Sequence, residues 1–461
     1  MLKINNTLSR KKEHFTPQNP PHVSMYTCGV TVYDDCHIGH ARSLYIFDVM
    51  RRYLKYRGYD VKFVRNITDI DDKIINRANE LKVNWQELVK KYIERYYEDL
   101  NALGIDKADF EPRATENIPD MIKYIQKLID KDFAYVAAGD VYFNVRKFNE
   151  YGKLSGQKIE EMEAGVRISP TELKKDHLDF ALWKASKENE PFWVSPWGNG
   201  RPGWHIECSV MSQKFLKTET LDIHAGGRDL VFPHHENELA QAEACTGKPF
   251  AKYWIHHGLL TINSQKMSKS LGNFVTIKDF INKYKNINLL KLFFLSAHYS
   301  HPIDYNQEKI EETKKQKESL DSFFNTVYIL HRGEAEPTIS DKDKNKIDSI
   351  FSKFEEAMDN DFNTAQALSC LFELRDTALS FSNLKSFEYA RTKMKDLFNI
   401  FNLSVQPQLE LLEEQYEDQY QREKLRQLRD FDSADKIRKR WEELGYILED
   451  HKGATAWRKK E

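Results

Sequence analysis

Two short strings in this chain have the residue types needed to bind a polyphosphate and to stabilise charge on the part that leaves. His37-Ile38-Gly39-His40 stands between an alternating segment and an apolar-periodic one. That placement puts it at a helix start, where unbonded N–H groups and the positive end of the helix dipole favour an anion. Gly39 there lets a ligand approach the backbone, and two imidazoles can donate to phosphate oxygens. Lys266-Met267-Ser268-Lys269-Ser270 lies in a polar stretch between Ile262 and Phe274, and two lysines on such a loop are point charges suited to a departing pyrophosphate. Taken singly, each string has a plain reading. Histidines three apart also cap or decorate a helix, and lysine with serine is common in any solvated loop.

The elements that must position these strings follow from periodicity. His22 to Cys28 alternates apolar and polar residues and runs into Gly29, which predicts a strand. Leu44, Phe47, Met50 and Leu54 recur at three and four between His37 and Arg57, and Gly58 follows where helices commonly stop. A second strand over Asp60 to Thr68 completes a β-α-β unit. Its ligand site should lie at the C-terminal ends of the strands, where Cys28 and Thr68 fall. From Pro112 to about Asn199 a lysine- and glutamate-rich stretch broken by Gly139, Gly152, Gly156, Gly165 and Pro170 reads as an insertion. Leu221 to His224, Gly226-Gly227, a helix from Pro233, and Trp254 to Ile262 read as the second half of the same sheet. Beyond Phe274 the pattern turns helical, with charged helices near Lys309 to Phe324 and Asp343 to Met358. An acidic stretch from Glu410 to Gln421 and a basic piece from Lys436 to Trp441 close the chain as an appended module.

The expected fold is therefore α/β: a Rossmann-like parallel-sheet domain with a connective insertion, followed by a C-terminal helical bundle and a small terminal module. The expected boundaries are 1–115 and 201–275 for the two halves of the sheet domain and 116–200 for the insertion. A helical connection over 276–325, a bundle over 326–407 and the module over 408–461 follow. A chain of 461 residues has length for such an arrangement. No apolar run approaches the roughly 20 residues that cross a bilayer, and no export signal follows Met1, so the cytoplasm is the expected location. Cys28, Cys36, Cys208, Cys245 and Cys370 are too scattered for a disulfide framework, and reduced thiols are expected. A net charge of -2 leaves any polyanionic partner to local basic patches.

In this order, and flanking a β-α-β unit, the two strings resemble the signature motifs of class I aminoacyl-tRNA synthetases. Cys28-Gly29-Val30-Thr31-Val32-Tyr33-Asp34, Gly200-Arg201-Pro202-Gly203-Trp204-His205-Ile206-Glu207-Cys208-Ser209 and Phe232-Pro233-His234-His235-Glu236-Asn237-Glu238 resemble one family of that class, the cysteinyl-tRNA synthetases. The similarity covers essentially the full length. The resemblance implies one zinc per chain on Cys28, Cys208, His234 and Glu238, with His235 a competing ligand. Pro233 suits a first helical position, which would put His234 and Glu238 on one helix face. Without the resemblance these scattered positions read as two buried small side chains and a surface His-Glu pair.

The same resemblance implies a cysteine pocket lined by Gly29, Thr31, Thr68 and Trp204, although Thr68 reads equally as core packing. It implies ATP contacts at Gly39, Gly226, Asp229 and Lys269, with His37, His40, Lys266 and Lys269 as the catalytic set. In the tail, an anticodon-binding role is implied for Asp435, Asp450 and Trp457. There Phe431, Trp441, Tyr446 and Trp457 alternate with Arg429, Arg438, Lys439, Arg440 and Arg458. A solvated amphipathic helix has the same look, and Phe431 stands where tryptophan is the expected residue. The implied partners are L-cysteine, Mg-ATP and tRNA(Cys), and the implied state is a monomer. Zinc selects sulfur because a thiol, with a pKa of about 8.5, ionises far more readily than a hydroxyl. Four protein ligands usually mark a closed site, so the substrate would add as a fifth ligand or displace one.

Two other activities fit parts of this pattern. A cysteine ligase acting on an amino sugar would share the catalytic framework but lack the anticodon module, and the chain from Leu271 to Glu461 is far more than it would need. A zinc hydrolase built on His234 to Glu238 would lack the His-Glu-x-x-His arrangement and its internal base. A catalytically silent RNA-binding protein would leave the phosphate-binding strings unexplained.

Overall fold

His22–Thr27 (β1) starts with alternating burial and ends in three buried residues, as a strand covered on both faces does. It leads through the helix Ile38–Tyr56 (α1) to Asp60–Arg65 (β2), which lies parallel to it with Thr27 opposite Arg65. After the insertion come the helix Trp204–Leu216 (α2) and the strand Leu221–Gly227 (β3). The helix Glu236–Thr246 (α3) and the strand Ala251–His257 (β4) complete the sheet. The strand order is β4-β3-β1-β2, all parallel. The chain leaves β1 towards β2 and returns on its other side as β3. The crevice beyond the C-terminal ends of β1 and β3 is thus the switch point where such sheets bind ligands.

The computed structural model describes residues 1–159, 174–268, 271–328, 338–381, 383–405, 413–451 and 454–459. The chain divides into two compact units, Met1–Lys285 with Tyr299–Asp304 and Asn286–His298 with Tyr305–Glu461.

Several boundaries move from their expected places. β1 and β2 stop at Thr27 and Arg65, so Cys28 and Asn66 are the first residues past the strand ends. β3 continues to Gly227, three residues beyond His224. The segment from Trp254 to Ile262, expected within the second half of the sheet, breaks between His257 and Leu260. Gly258 sits there against the His301 carbonyl, where a Cβ would come within 2.2 Å.

α1 is fastened to that break by Arg42. Fully buried, its guanidinium donates to the carbonyls of Gly258 (2.7 Å), Leu259 (2.8 Å), Tyr299 (3.2 Å) and His301 (2.6 Å). Replacing Arg42 with leucine strands those buried acceptors, and a loss of about 3 kcal/mol or more is expected. A lower urea midpoint in circular dichroism checks it.

The insertion contributes the helix Ile118–Asp130 and an antiparallel sheet. In sheet order, its strands are Ala134–Ala137, Asp140–Phe143, Phe180–Ala185, Gly198–Pro202 and Trp193–Ser195. The buried Glu236 accepts from Gly152 N (2.9 Å) and Ser155 N (2.7 Å), tying the insertion to the start of α3.

The second unit holds the helices Gln307–Phe324, Asp341–Asp359, Thr364–Leu379 and Leu384–Ile400. Its tail has the helices Glu413–Gln427 and Phe431–Glu443 and the strands Tyr446–His451 and Ala454–Lys459. The tail sheet also recruits Thr326–Tyr328, placed by sequence at the start of the bundle. No helix among the described residues is long and apolar enough to cross a membrane.

Candidate active site and metal centre

His37 is the N-cap of α1, in extended backbone conformation, and its Nδ1 accepts from Gly39 N (3.1 Å) and His40 N (3.2 Å). His37 N in turn donates to His40 Nδ1 at 3.3 Å. Both Nδ1 atoms are acceptors, so each neutral ring carries its proton on Nε2. Two Nε2–H donors result, at a helix end that already favours anions. The rings stack with centroids 3.7 Å apart. Burial, with lesser contributions from His37 and Lys73, holds the His40 imidazole well below its ordinary pKa, so it is neutral at physiological pH. Gly39 is needed for the cap itself: a Cβ there would lie 2.9 Å from the His37 ring.

The lysine loop is stitched to this helix start. Ile38 N donates to Val275 O (3.0 Å), and Ile277 N to Cys36 O (3.0 Å). Ser268 N donates to Asn273 Oδ1 (2.8 Å), and Asn273 Nδ2 to Lys266 O (3.2 Å). Lys266 is exposed. Lys269 lies outside the described residues. Thr31, His37, His40 and Phe274 line one small cavity.

Behind them, the side chain just past the end of β1 and others from α2 and α3 converge with one from the turn before α3. Cys28 Sγ is 3.7 Å from Cys208 Sγ and 3.4 Å from Glu238 Oε1. His234 Nε2 is 2.7 Å from Glu238 Oε1 and 3.7 Å from Cys208 Sγ. One ligand atom from each of Cys28, Cys208, His234 and Glu238 lies within 4.8 Å of the others, and the same holds for Cys28, His224, His235 and Glu238. His235 Nε2 stands 3.2 Å from Cys28 Sγ, so the geometry keeps His235 a competitor. The helix geometry differs from expectation. Pro233 belongs to a wide turn over Val231–His235, and the regular helix begins at Glu236. The His234-Glu238 pairing survives because the turn feeds directly into α3.

The donor set suits a divalent cation. Burial raises the Cys28 thiol well above its usual value, pushes Cys208 up to about 12 and lowers His234 to about 3. Only a bound cation could hold both sulfurs as thiolates in that interior. The separation of the sulfurs matches the edge of a tetrahedron with Zn–S bonds of about 2.3 Å, about 3.8 Å. Outer partners are in place as well. His224 Nε2 is 2.7 Å from Glu238 Oε2, and His205 Nδ1 is 2.8 Å from His234 Nδ1. Such contacts orient metal ligands. Neither histidine is marked by any period in the sequence, although His205 stands inside a quoted string and His224 ends an expected strand.

Around this cluster, Trp204 stacks on His234 at 3.8 Å, and Thr68 forms an isolated parallel bridge with Thr31. Gly29 is required by packing: a Cβ there would fall 1.6 Å from Asn66 O. At Gly226 a Cβ would meet the His235 ring at 2.6 Å. Asp229 is exposed and lines a cleft of about 650 Å³ with Thr7, Arg10, Ser155, Arg228 and Tyr299. A cleft of about 670 Å³ at the opposite ends of the strands holds none of these residues.

Two of the tail residues expected to meet the RNA have partners within the module itself. Trp457 is 3% exposed and packs with Trp441 and Leu448 in the module's own core, so its ring is not offered to a base. Asp450 is held by Arg422 (2.7 Å), Arg426 (3.0 Å) and Arg438. Asp435 is exposed, as is Phe431 at 57%.

A sequence profile for tRNA synthetases class I (C) catalytic domain matches residues 14–315, and one for the DALR domain matches residues 353–406. In fold, the chain is similar to Mycobacterium tuberculosis methionyl-tRNA synthetase in complex with methionyl-adenylate, with TM-score 0.59 and 14% identity, over 82% of this chain and 88% of that one. It is also similar to the LeuRS-tRNA-LeuAMS ternary complex of Agrobacterium radiobacter K84, with TM-score 0.58 and 10% identity, over 84% of each chain. A parallel sheet with its crevice at the switch point, a histidine-capped helix start and a following lysine loop define a class I aminoacyl-tRNA synthetase. A cysteine--tRNA ligase from Persephonella marina is 49% identical over 488 residues, 100% of both chains, and one from Anoxybacillus flavithermus is 47% identical over 467 residues, 99% of both. The chain belongs to the cysteine–tRNA ligase family.

Proposed function

We propose that this enzyme selects L-cysteine through zinc held by Cys28, Cys208, His234 and Glu238, activates it with Mg-ATP and passes it to the 3'-terminal ribose of tRNA(Cys). The convergence of four ligand atoms at the strand ends, beside the capped helix start, carries this reading. Bound there, zinc would take the substrate's thiolate, a soft and readily ionised ligand that the hydroxyl of serine does not match. The set with Cys208 is preferred over the one with His224 and His235 because it brings two sulfurs at a tetrahedral spacing.

In the first step the cysteine carboxylate forms a bond to the α-phosphorus and pyrophosphate leaves. His37 and His40 donate from Nε2 to phosphate oxygens, and Lys266 with Lys269 neutralises the departing charge. Asp229 would accept from the ribose hydroxyls. In the second step the terminal ribose of tRNA attacks the carbonyl of cysteinyl-adenylate and AMP departs. The residues 408–461 would hold the anticodon, with Asp435 and the exposed Phe431 as the available contacts.

The test is amino-acid choice. With zinc-loaded enzyme, cysteine should support ATP–pyrophosphate exchange at least about 10⁴-fold better than serine, beyond what packing differences alone give. Comparable exchange with serine would remove the metal as selector.

A further inference from the structure

Glu207 has no role in the steps above, yet it is 1% exposed, and its Oε1 has no hydrogen-bond partner among the described residues. A buried acceptor left unmade is costly, and such atoms gather where a ligand completes them.

The bonds around Glu207 have a fixed direction. Gly29 N can only donate, and it lies 2.8 Å from Asn66 Oδ1, which also accepts from the Tyr26 hydroxyl at 3.0 Å. Those contacts settle which way the amide faces, so Asn66 Nδ2 donates to Thr68 Oγ1 at 3.3 Å. Thr68 then sends its single proton to Glu207 Oε2, at 2.7 Å. What remains is a lone pair on Thr68 Oγ1, which has no proton left to give, beside a Glu207 Oε1 with no partner among the described residues. Cys208 Sγ lies 4.0 Å from Asn66 Oδ1, so the amide that donates to Thr68 also borders the sulfur cluster. In cysteine only three bonds separate the sulfur from the ammonium nitrogen.

We infer that Glu207 is a positioning residue for cysteine activation: by taking the Thr68 proton it keeps that hydroxyl an acceptor, and the pocket thereby receives the substrate's ammonium group next to its thiolate. The inference rests on the zinc-thiolate reading only for where the substrate sulfur lies. Glu207 does this in either protonation state, because Oε2 has only to accept.

Glu207→Met removes the acceptor at similar volume. In ATP–pyrophosphate exchange its KM for cysteine should rise about ten- to a hundredfold, the loss of one hydrogen bond to a charged group, with the KM for ATP unchanged. The inhibition constant of 3-mercaptopropionate, which has the thiol and carboxylate but no ammonium, should stay at the wild-type value. Glu207→Gln, still able to accept from Thr68, should recover most of the affinity for cysteine. Parallel weakening of cysteine and 3-mercaptopropionate, or an unchanged KM for cysteine in Glu207→Met, overturns the inference. If Glu207→Met does not fold, Thr68→Val is read by the same two constants, selective loss supporting the inference and parallel loss overturning it. Zinc content on each preparation reports the metal reading separately: zinc-free wild-type enzyme sinks that reading, while the ratio of the two constants still decides the part of Glu207.

Discussion

Cys208→Ser should leave the enzyme without zinc and lower cysteine-dependent ATP–pyrophosphate exchange at least about 10³-fold, beyond the 10- to 100-fold that outer partners of metal ligands carry. The hydroxyl is a harder donor than the thiolate and stays protonated in a buried setting. Cys208 is 1% exposed on α2, and burial, with the nearby Glu238 and Glu207 carboxylates adding to it, pushes its thiol up to about 12. Metal-free protein would thus keep it neutral, and cation binding and thiol ionisation become one event. Cys28→Ser should behave alike, and the double variant should be little worse than either single one, because the two sulfurs act as a unit. Metal analysis beside the exchange assay checks this. Full zinc content in Cys208→Ser would assign the metal to the alternative set with His224 and His235.

His37→Ser separates the structural use of that histidine from its chemical one. Serine is a strong N-cap and can accept from the N–H groups that His37 Nδ1 now serves, so stability should stay within about 1 kcal/mol of wild type. The Nε2–H donor is lost. Exchange should fall about 10²- to 10³-fold, the effect of removing one preorganised donor to developing negative charge, with zinc content intact. Exchange at the wild-type rate in a folded variant would confine His37 to capping.

What sequence reveals of this molecule depends on how local each feature is. The His37 to His40 string could be read because a helix start is set by its neighbours, and the capping bonds span only two or three residues. The β-α-β unit was legible for the same reason, although the strands ended short because Cys28 and Asn66 turn into the site. Cys28 and Cys208, 180 residues apart, had no spacing to connect them and were found through family resemblance. Glu207 and Asn66 were passed over inside or beside recognised segments. Their meaning lies in bond direction across a contact spanning 139 residues, which no periodicity encodes. In the tail the alternation of rings and cations suggested an RNA face. Which rings fill the module's own core is decided by packing, and Trp457 proved to be one of them. Thr326–Tyr328, three residues long, is too short for an alternating pattern to reveal that it joins the tail sheet.

Cobalt in place of zinc gives the most direct reading of how the substrate is recognised, because each thiolate bound to cobalt(II) adds near-ultraviolet charge-transfer absorption. Addition of L-cysteine, without ATP, should raise that absorption by one further sulfur-to-metal contribution, and L-serine should leave the spectrum unchanged. A spectrum that does not respond to L-cysteine at saturating concentration would contradict recognition through the metal.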